Sequence, residues 1–177
     1  MVHICKIALA ALISFQLALV SCRSSTPNED IPVARALAAQ NRGDKEGSID
    51  AWNEVILKTP APYRAFAYTQ RGQMRFEVGD KYAAIADYDA AVIDQNMLIN
   101  LYLQEKKKDI AKSSDGSRRL KKQIAYTYFM RSKVKFDLKD KNGSITDLQM
   151  AAQIYQEFGD TENLQKATQA IEFVKGN

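Results

Sequence analysis

The chain has few of the side chains that most enzymes use for catalysis or metal binding. Its 177 residues include one histidine and two cysteines, and all three (His3, Cys5 and Cys22) lie within the first 22 positions. The remaining part of about 155 residues has no imidazole to act as a base near neutral pH. It also has no thiol nucleophile, no disulfide and no His/Cys cluster with zinc spacing.

Phosphate-binding glycine motifs are also missing. The eight glycines form neither a Gly-x-Gly-x-x-Gly sequence nor a Walker loop. Asp and Glu are scattered along the chain, and carboxylates alone would have to do any acid–base or metal chemistry. We therefore expect a non-catalytic protein without cofactor or metal ion, with a carboxylate-based enzyme as the alternative.

The first 22 residues have the pattern of a bacterial lipoprotein signal peptide. Lys6 precedes an uncharged apolar run at 7–20, and Leu19-Val20-Ser21-Cys22 resembles the lipobox cleavage motif. A run this short, followed directly by a cleavage motif, favours a signal peptide over a spanning helix. The alternatives are an uncleaved anchor helix and an ordinary secretory signal.

The lipoprotein resemblance implies where the protein works. Residues 1–21 would be removed, Cys22 would carry the acyl chains (diacylglycerol and palmitate), and residues 22–31 would form a polar tether. We expect a membrane-anchored protein of the cell envelope that faces the periplasm. Arg23 stands where an inner-membrane retention signal would have Asp, which favours the outer membrane.

The rest of the chain contains a repeated unit. Residues 71–91 align with residues 131–151 at an offset of 60, with Arg, Phe, Asp, Lys, Ile, Asp and Ala shared. An earlier unit shares the Gly-Asp-Lys sequence of positions 43–45 with positions 79–81, at an offset of 36. Such self-similarity is typical of repeat proteins.

Apolar spacing in the middle unit predicts a pair of helices. Tyr68, Gly72 and Phe76 are four residues apart, and residues 82, 85, 88 and 91 are three apart. Gly79-Asp80 lies between the two segments, where Gly can end the first helix and Asp can cap the second. Gly72 and Ala84 are small, as a close approach of the two helices would require.

These positions resemble the tetratricopeptide (TPR) unit of 34 residues. The matching positions in the middle unit are Gly72, Gly79, Asp80, Ala84, Tyr88 and Ala91. The resemblance covers roughly 30–96 and 120–176. It implies an all-α, TPR-like helix-turn-helix solenoid over 32–177, with about three repeats and a C-terminal cap helix at 160–176. Trp52 and Tyr88 would then lie in the core.

Residues 97–122 depart from the family spacing. An offset of 60 between units of 34 residues leaves 26 additional residues. Because no proline closes the second unit, we expect its last helix to continue outward, turn at 113–117 and return; a solvated loop is the alternative. Eight basic residues against three acidic ones give 105–122 a net charge of +5. This basic set comprises Lys106, Lys107, Lys108, Lys112, Arg118, Arg119, Lys121 and Lys122.

Two surfaces are therefore candidates for binding. The basic set is suited to an anionic lipid, an anionic polymer or an acidic protein surface. Nucleic acid is not expected as a partner, because an exported protein rarely meets it. In the TPR family, the first helices of the units line a groove that receives peptides. The matching positions, called here the predicted groove set, are Phe66, Thr69, Gln70, Gln73, Tyr126, Phe129, Met130 and Lys133.

The predicted groove set lacks the Lys/Asn set with which some TPR domains hold a C-terminal carboxylate. Its aromatic character is typical of a surface for an amphipathic helix or an extended apolar peptide. Packing of these side chains between neighbouring helices is the alternative. The sequence thus predicts a scaffold for a protein or peptide partner, or else an anionic-surface module that acts through the basic set.

Overall fold

A computed structural model of the chain describes residues 31–105 and 114–177. The predicted signal peptide, Cys22 and nearly all of the predicted tether lie outside these residues. Within the described residues the chain is helical and has no strand, so the predicted all-α class is confirmed there. The helices are α1 (Pro32–Asn41), α2 (Lys45–Lys58), α3 (Ala65–Glu77), α4 (Lys81–Glu105), α5 (Ser114–Asp137), α6 (Lys141–Glu157) and α7 (Thr161–Gly176).

The helices stack in chain order. Each packs chiefly on the helices before and after it, and α3 also contacts α5 directly. The result is a repeat-like arrangement in which α3 touches α5, and α4 packs against both of them. Across residues 31–105 and 114–177, no helix has both the length and the apolar character needed to span a membrane.

One turn geometry recurs at four helix ends. In each, the second residue after the helix has a left-handed backbone, with φ between 63° and 89°. These residues are Gly43, Gly79, Lys139 and Gly159. Glycine adopts this conformation without steric cost, whereas lysine does not.

An aspartate follows each left-handed residue and caps the next helix. Its carboxylate accepts a hydrogen bond from the backbone N–H three residues later, at distances of 2.8 to 3.3 Å. The four caps are Asp44, Asp80, Asp140 and Asp160. The turn predicted at Gly79-Asp80 and the predicted start of the last helix at Asp160 are therefore confirmed.

Small side chains set the distance between α3 and α4. A Cβ added at Gly72 would lie 3.1 Å from the Tyr88 ring and 3.3 Å from the carbonyl oxygen of Ala84. Ala84 and Tyr88 are fully buried, as is Trp52 in the α2 core. The predicted close approach and the predicted core positions of Trp52 and Tyr88 are confirmed.

The two long helices α4 and α5 occupy much of the predicted insert. The expected continuation of the second helix is confirmed as far as Glu105. The turn predicted at 113–117 is wrong for 114–117, which form the start of α5. Ser and Asp are favoured in turns but also at helix N-termini, so the composition of this stretch does not distinguish the two. Residues 106–113 lie outside the described residues.

Candidate binding groove

Contact between α3 and α5 brings two parts of the predicted groove set together. The Thr69 and Thr127 hydroxyl oxygens are 3.2 Å apart across the junction. Nearer the surface, the Tyr126 hydroxyl donates a hydrogen bond to Gln73 Oε1 at 3.4 Å. Burial, with a smaller contribution from the Glu77 carboxylate, raises the pKa of Tyr126. This hydroxyl therefore remains protonated, and remains a donor, at neutral pH.

A cavity of about 260 Å³ opens at this junction, and we call it the α3–α5 cavity. Four members of the predicted groove set line it: Phe66, Thr69, Gln70 and Tyr126. One member of the basic set, Lys122, also lines it. The sequence analysis missed the other three lining residues, which are Gln95, Gln123 and Thr127.

The floor of the α3–α5 cavity is polar and well buried. Thr127 is fully buried, Gln95 is 1% exposed and Thr69 is 4% exposed. Gln95 belongs to α4, which packs against both α3 and α5, and its Nε2 donates to Thr127 Oγ1 at 3.2 Å. A polar floor beneath aromatic walls is the usual composition of a specific binding pocket.

A second cavity of about 360 Å³, the α5–α7 cavity, is lined by residues of α5, α6 and α7 and by Phe76 of α3. Phe129 and Lys133 of the predicted groove set line it. The Lys133 ammonium lies 5.0 Å from the centre of the Phe129 ring, a cation–π distance. Phe136 and Phe173 complete an aromatic wall, with ring centres 5.6 Å apart.

Met130 differs from the other members of the predicted groove set. It is 8% exposed and packs against Ala84, Tyr88 and Val134 in the core between α4 and α5. Packing between neighbouring helices, the alternative stated above, describes its position. The predicted groove set is thus divided between two cavities, the surface near Gln73 and the core.

The described part of the basic set contacts the end of α6. Arg118 and Lys121 lie over the Phe158 ring, at 5.4 and 5.6 Å from its centre. Lys121 pairs with Glu157 at 2.7 Å, and Lys122 pairs with Asp160 at 3.3 Å. Arg119 is exposed. The remaining members, Lys106, Lys107, Lys108 and Lys112, lie outside the described residues.

The described residues offer little for metal chemistry. No three His, Cys, Asp or Glu side chains in 31–105 and 114–177 are placed so that they could hold a metal ion. Comparison with protein-family models found no match to this chain, and comparison with curated protein sequences found none either. Function is therefore inferred from the chain's own sequence and from the geometry of the two cavities.

Proposed function

We propose that this protein is a non-catalytic scaffold built as a TPR-like solenoid, and that it binds a protein or peptide partner across α3 and α5. The observation that carries the proposal is that both cavities draw lining residues from these two helices. Side chains from two adjacent helix pairs thus contribute to both cavities.

Exposed aromatic side chains support this choice of surface. Phe66 is 45% exposed, Tyr126 is 40% exposed and Phe173 is 59% exposed, and all three line one of the cavities. Aromatic residues with polar neighbours are enriched where proteins bind other proteins. Two cavities on one surface would accept two anchoring side chains of the same partner segment.

The proposal includes a location for the scaffold. The lipobox-like sequence ending at Cys22 supports cleavage and lipidation there, and hence anchoring in the bacterial envelope with the helices in the periplasm. Arg23 supports the outer membrane rather than the inner one. Labelling with a fatty-acid analogue would test this part, and Cys22→Ala is expected to abolish the label.

Site-specific photo-crosslinking in cells tests the binding surface. A photoreactive residue at Gln70, which lines the α3–α5 cavity, is expected to form an adduct with one discrete protein. The same residue at Tyr82, which is 79% exposed on α4 and lines neither cavity, is the matched control. Phe66→Ala combined with Phe129→Ala should remove the Gln70 adduct.

A charge variant separates this function from binding through the basic set. A variant with Gln at five basic positions should still form the adduct at Gln70. The five positions are Lys106, Lys107, Lys108, Arg118 and Arg119. If no protein is crosslinked and the Gln variant loses binding to anionic lipid or polymer, the scaffold proposal is wrong and the basic set is the functional surface.

A further inference from the structure

Gln95 places a hydrogen-bond acceptor without a partner at the floor of the α3–α5 cavity. Its Nε2 donates a hydrogen bond to Thr127 Oγ1, but its Oε1 is buried and has no hydrogen-bond partner among the described residues. A buried acceptor left in this state destabilises the fold. A ligand group that donates to this oxygen would recover that free energy.

The two threonines of the floor have no proton to give a ligand. Thr69 Oγ1 donates to the Ala65 carbonyl oxygen, and Thr127 Oγ1 donates to the Gln123 carbonyl oxygen, both at 3.0 Å. Thr127 Oγ1 accepts from Gln95 Nε2 in this arrangement, and Gln95 Oε1 is the unused acceptor of the amide. The floor thus offers this oxygen to a ligand group that donates a hydrogen bond.

The walls and volume of the cavity select an apolar group of bicyclic size. Phe66 and Tyr126 form aromatic walls, and the volume of about 260 Å³ exceeds the roughly 150 Å³ of a cavity that holds benzene. Indole is the apolar side-chain group that donates a hydrogen bond and accepts none. Phenol also donates, but its single ring would fill less of this volume.

We propose that the α3–α5 cavity binds the indole ring of a tryptophan on the partner, with the indole N–H donating to Gln95 Oε1. This inference rests on the scaffold function proposed above and names the side chain that would anchor the partner. Lys122 is the one charged residue among the described lining residues, and it carries a positive charge at the cavity. Its ammonium is already paired with Asp160 at 3.3 Å, so the proposal does not depend on a charged group of the partner.

Two small probes test the inference directly on the full-length chain. Indole and benzothiophene have nearly the same bicyclic shape, but benzothiophene has sulfur in place of the N–H donor. We expect indole to bind about tenfold more tightly, the effect of one buried hydrogen bond of about 1.4 kcal/mol. Titration followed by NMR should shift the resonances of Tyr126 and Thr127 with both probes.

Gln95→Met tests whether Gln95 is the source of that selectivity. This variant should bind both probes with the same affinity, because it retains the side-chain length and removes the acceptor. Gln73→Met is the matched control, since Gln73 lies beside the cavity and does not line it. Thermal melts of both variants would confirm folding, and the comparison of the two probes on the unmodified chain needs no variant.

Three results would overturn the inference: equal affinity of the two probes, selectivity that survives Gln95→Met, or binding of neither probe at millimolar concentration. The photo-crosslinking experiment separates these failures from a failure of the scaffold function. A Gln70 adduct without indole selectivity would overturn the tryptophan inference alone. Indole selectivity without any adduct would overturn the scaffold and leave the indole site.

Discussion

The Arg71 guanidinium donates two hydrogen bonds to the Asp87 carboxylate, from Nε at 2.9 Å and from Nη2 at 2.5 Å. Asp87 is 3% exposed in its side chain, and Arg75 contacts the same carboxylate at 2.9 Å. Arg71 Nη1 also donates a hydrogen bond to Asn53 Oδ1 on α2, at 2.6 Å. One arginine therefore joins both helices of its own pair to the preceding pair.

The same arrangement recurs sixty residues later. Arg131 donates to both oxygens of Asp147, at 2.8 and 2.6 Å, and to Asp89 on α4 at 2.6 Å. Burial alone would lower the pKa of Arg131, but hydrogen bonds and charge attraction from Asp147 and Asp89 raise it. The guanidinium therefore stays charged, and successive helix pairs are held together by similar arginine contacts.

Asp87→Asn should destabilise the fold strongly. It would leave Arg71 and Arg75, 14% and 24% exposed in their side chains, without a balancing charge. Breaking a buried pair from one side costs about 3–5 kcal/mol, so we expect a loss of about 3 kcal/mol in the free energy of unfolding, measured with urea. Lys58→Met is the control, because its pair with Glu54 is exposed and should contribute less than about 1 kcal/mol. Equal losses in the two variants would contradict this account.

Gly72→Ala should destabilise the contact between α3 and α4. The new methyl group would crowd the Tyr88 ring and a backbone oxygen, which costs about 1–3 kcal/mol. Because alanine favours a helix by about 1 kcal/mol over glycine, we expect a net loss of about 1 kcal/mol in urea unfolding. Gly176→Ala at the end of α7 is the control: its new methyl group would have no heavy atom within 4 Å, so the free energy of unfolding should not fall. A Gly72→Ala variant as stable as the unmodified chain would show that the helices separate without cost.

Lys139→Gly should stabilise the protein. Lys139 has φ of 67° at the position that glycine occupies in the three equivalent turns. Relief of this left-handed strain should raise the free energy of unfolding by about 0.5–1 kcal/mol, after the entropic cost of glycine. Lys139→Ala removes the same charge but keeps the Cβ, so its stability should not rise. A gain shared by both variants would point to the charge rather than the backbone.

The repeat itself can be predicted from the sequence because each of its parts depends on local chemistry. The Gly-Asp turns, the small residue at Gly72 and the buried Trp52 all follow from spacing within one helix pair. The Thr69–Thr127 contact joins residues 58 positions apart, so it depends on α3 touching α5. Spacing within a pair carries no information about that contact.

Gln95 is the residue that sequence reasoning missed and that a closer reading could find. It follows Tyr88 by seven residues and Ala91 by four, so it lies on the buried stripe of α4. A polar residue in that stripe indicates a buried hydrogen-bonding role. Met130 was predicted to face the groove, but its apolar side chain packs in the core beside Tyr88.

Tyr155 should make stability fall at high pH. It packs between α5, α6 and α7, and burial, with smaller contributions from Asp160 and Tyr126, raises its pKa from 10.0 to about 12. The unfolded chain loses this proton first as pH rises. The contribution of Tyr155 to the free energy of unfolding is therefore complete below pH 10 and is lost as pH rises from 10 to 12. Tyr155→Phe should therefore lose less stability over that range, measured by urea unfolding at several pH values. Tyr82→Phe, at a side chain 79% exposed, should follow the unmodified chain. If Tyr155→Phe loses as much stability as the unmodified chain does, the burial of this hydroxyl does not control its titration.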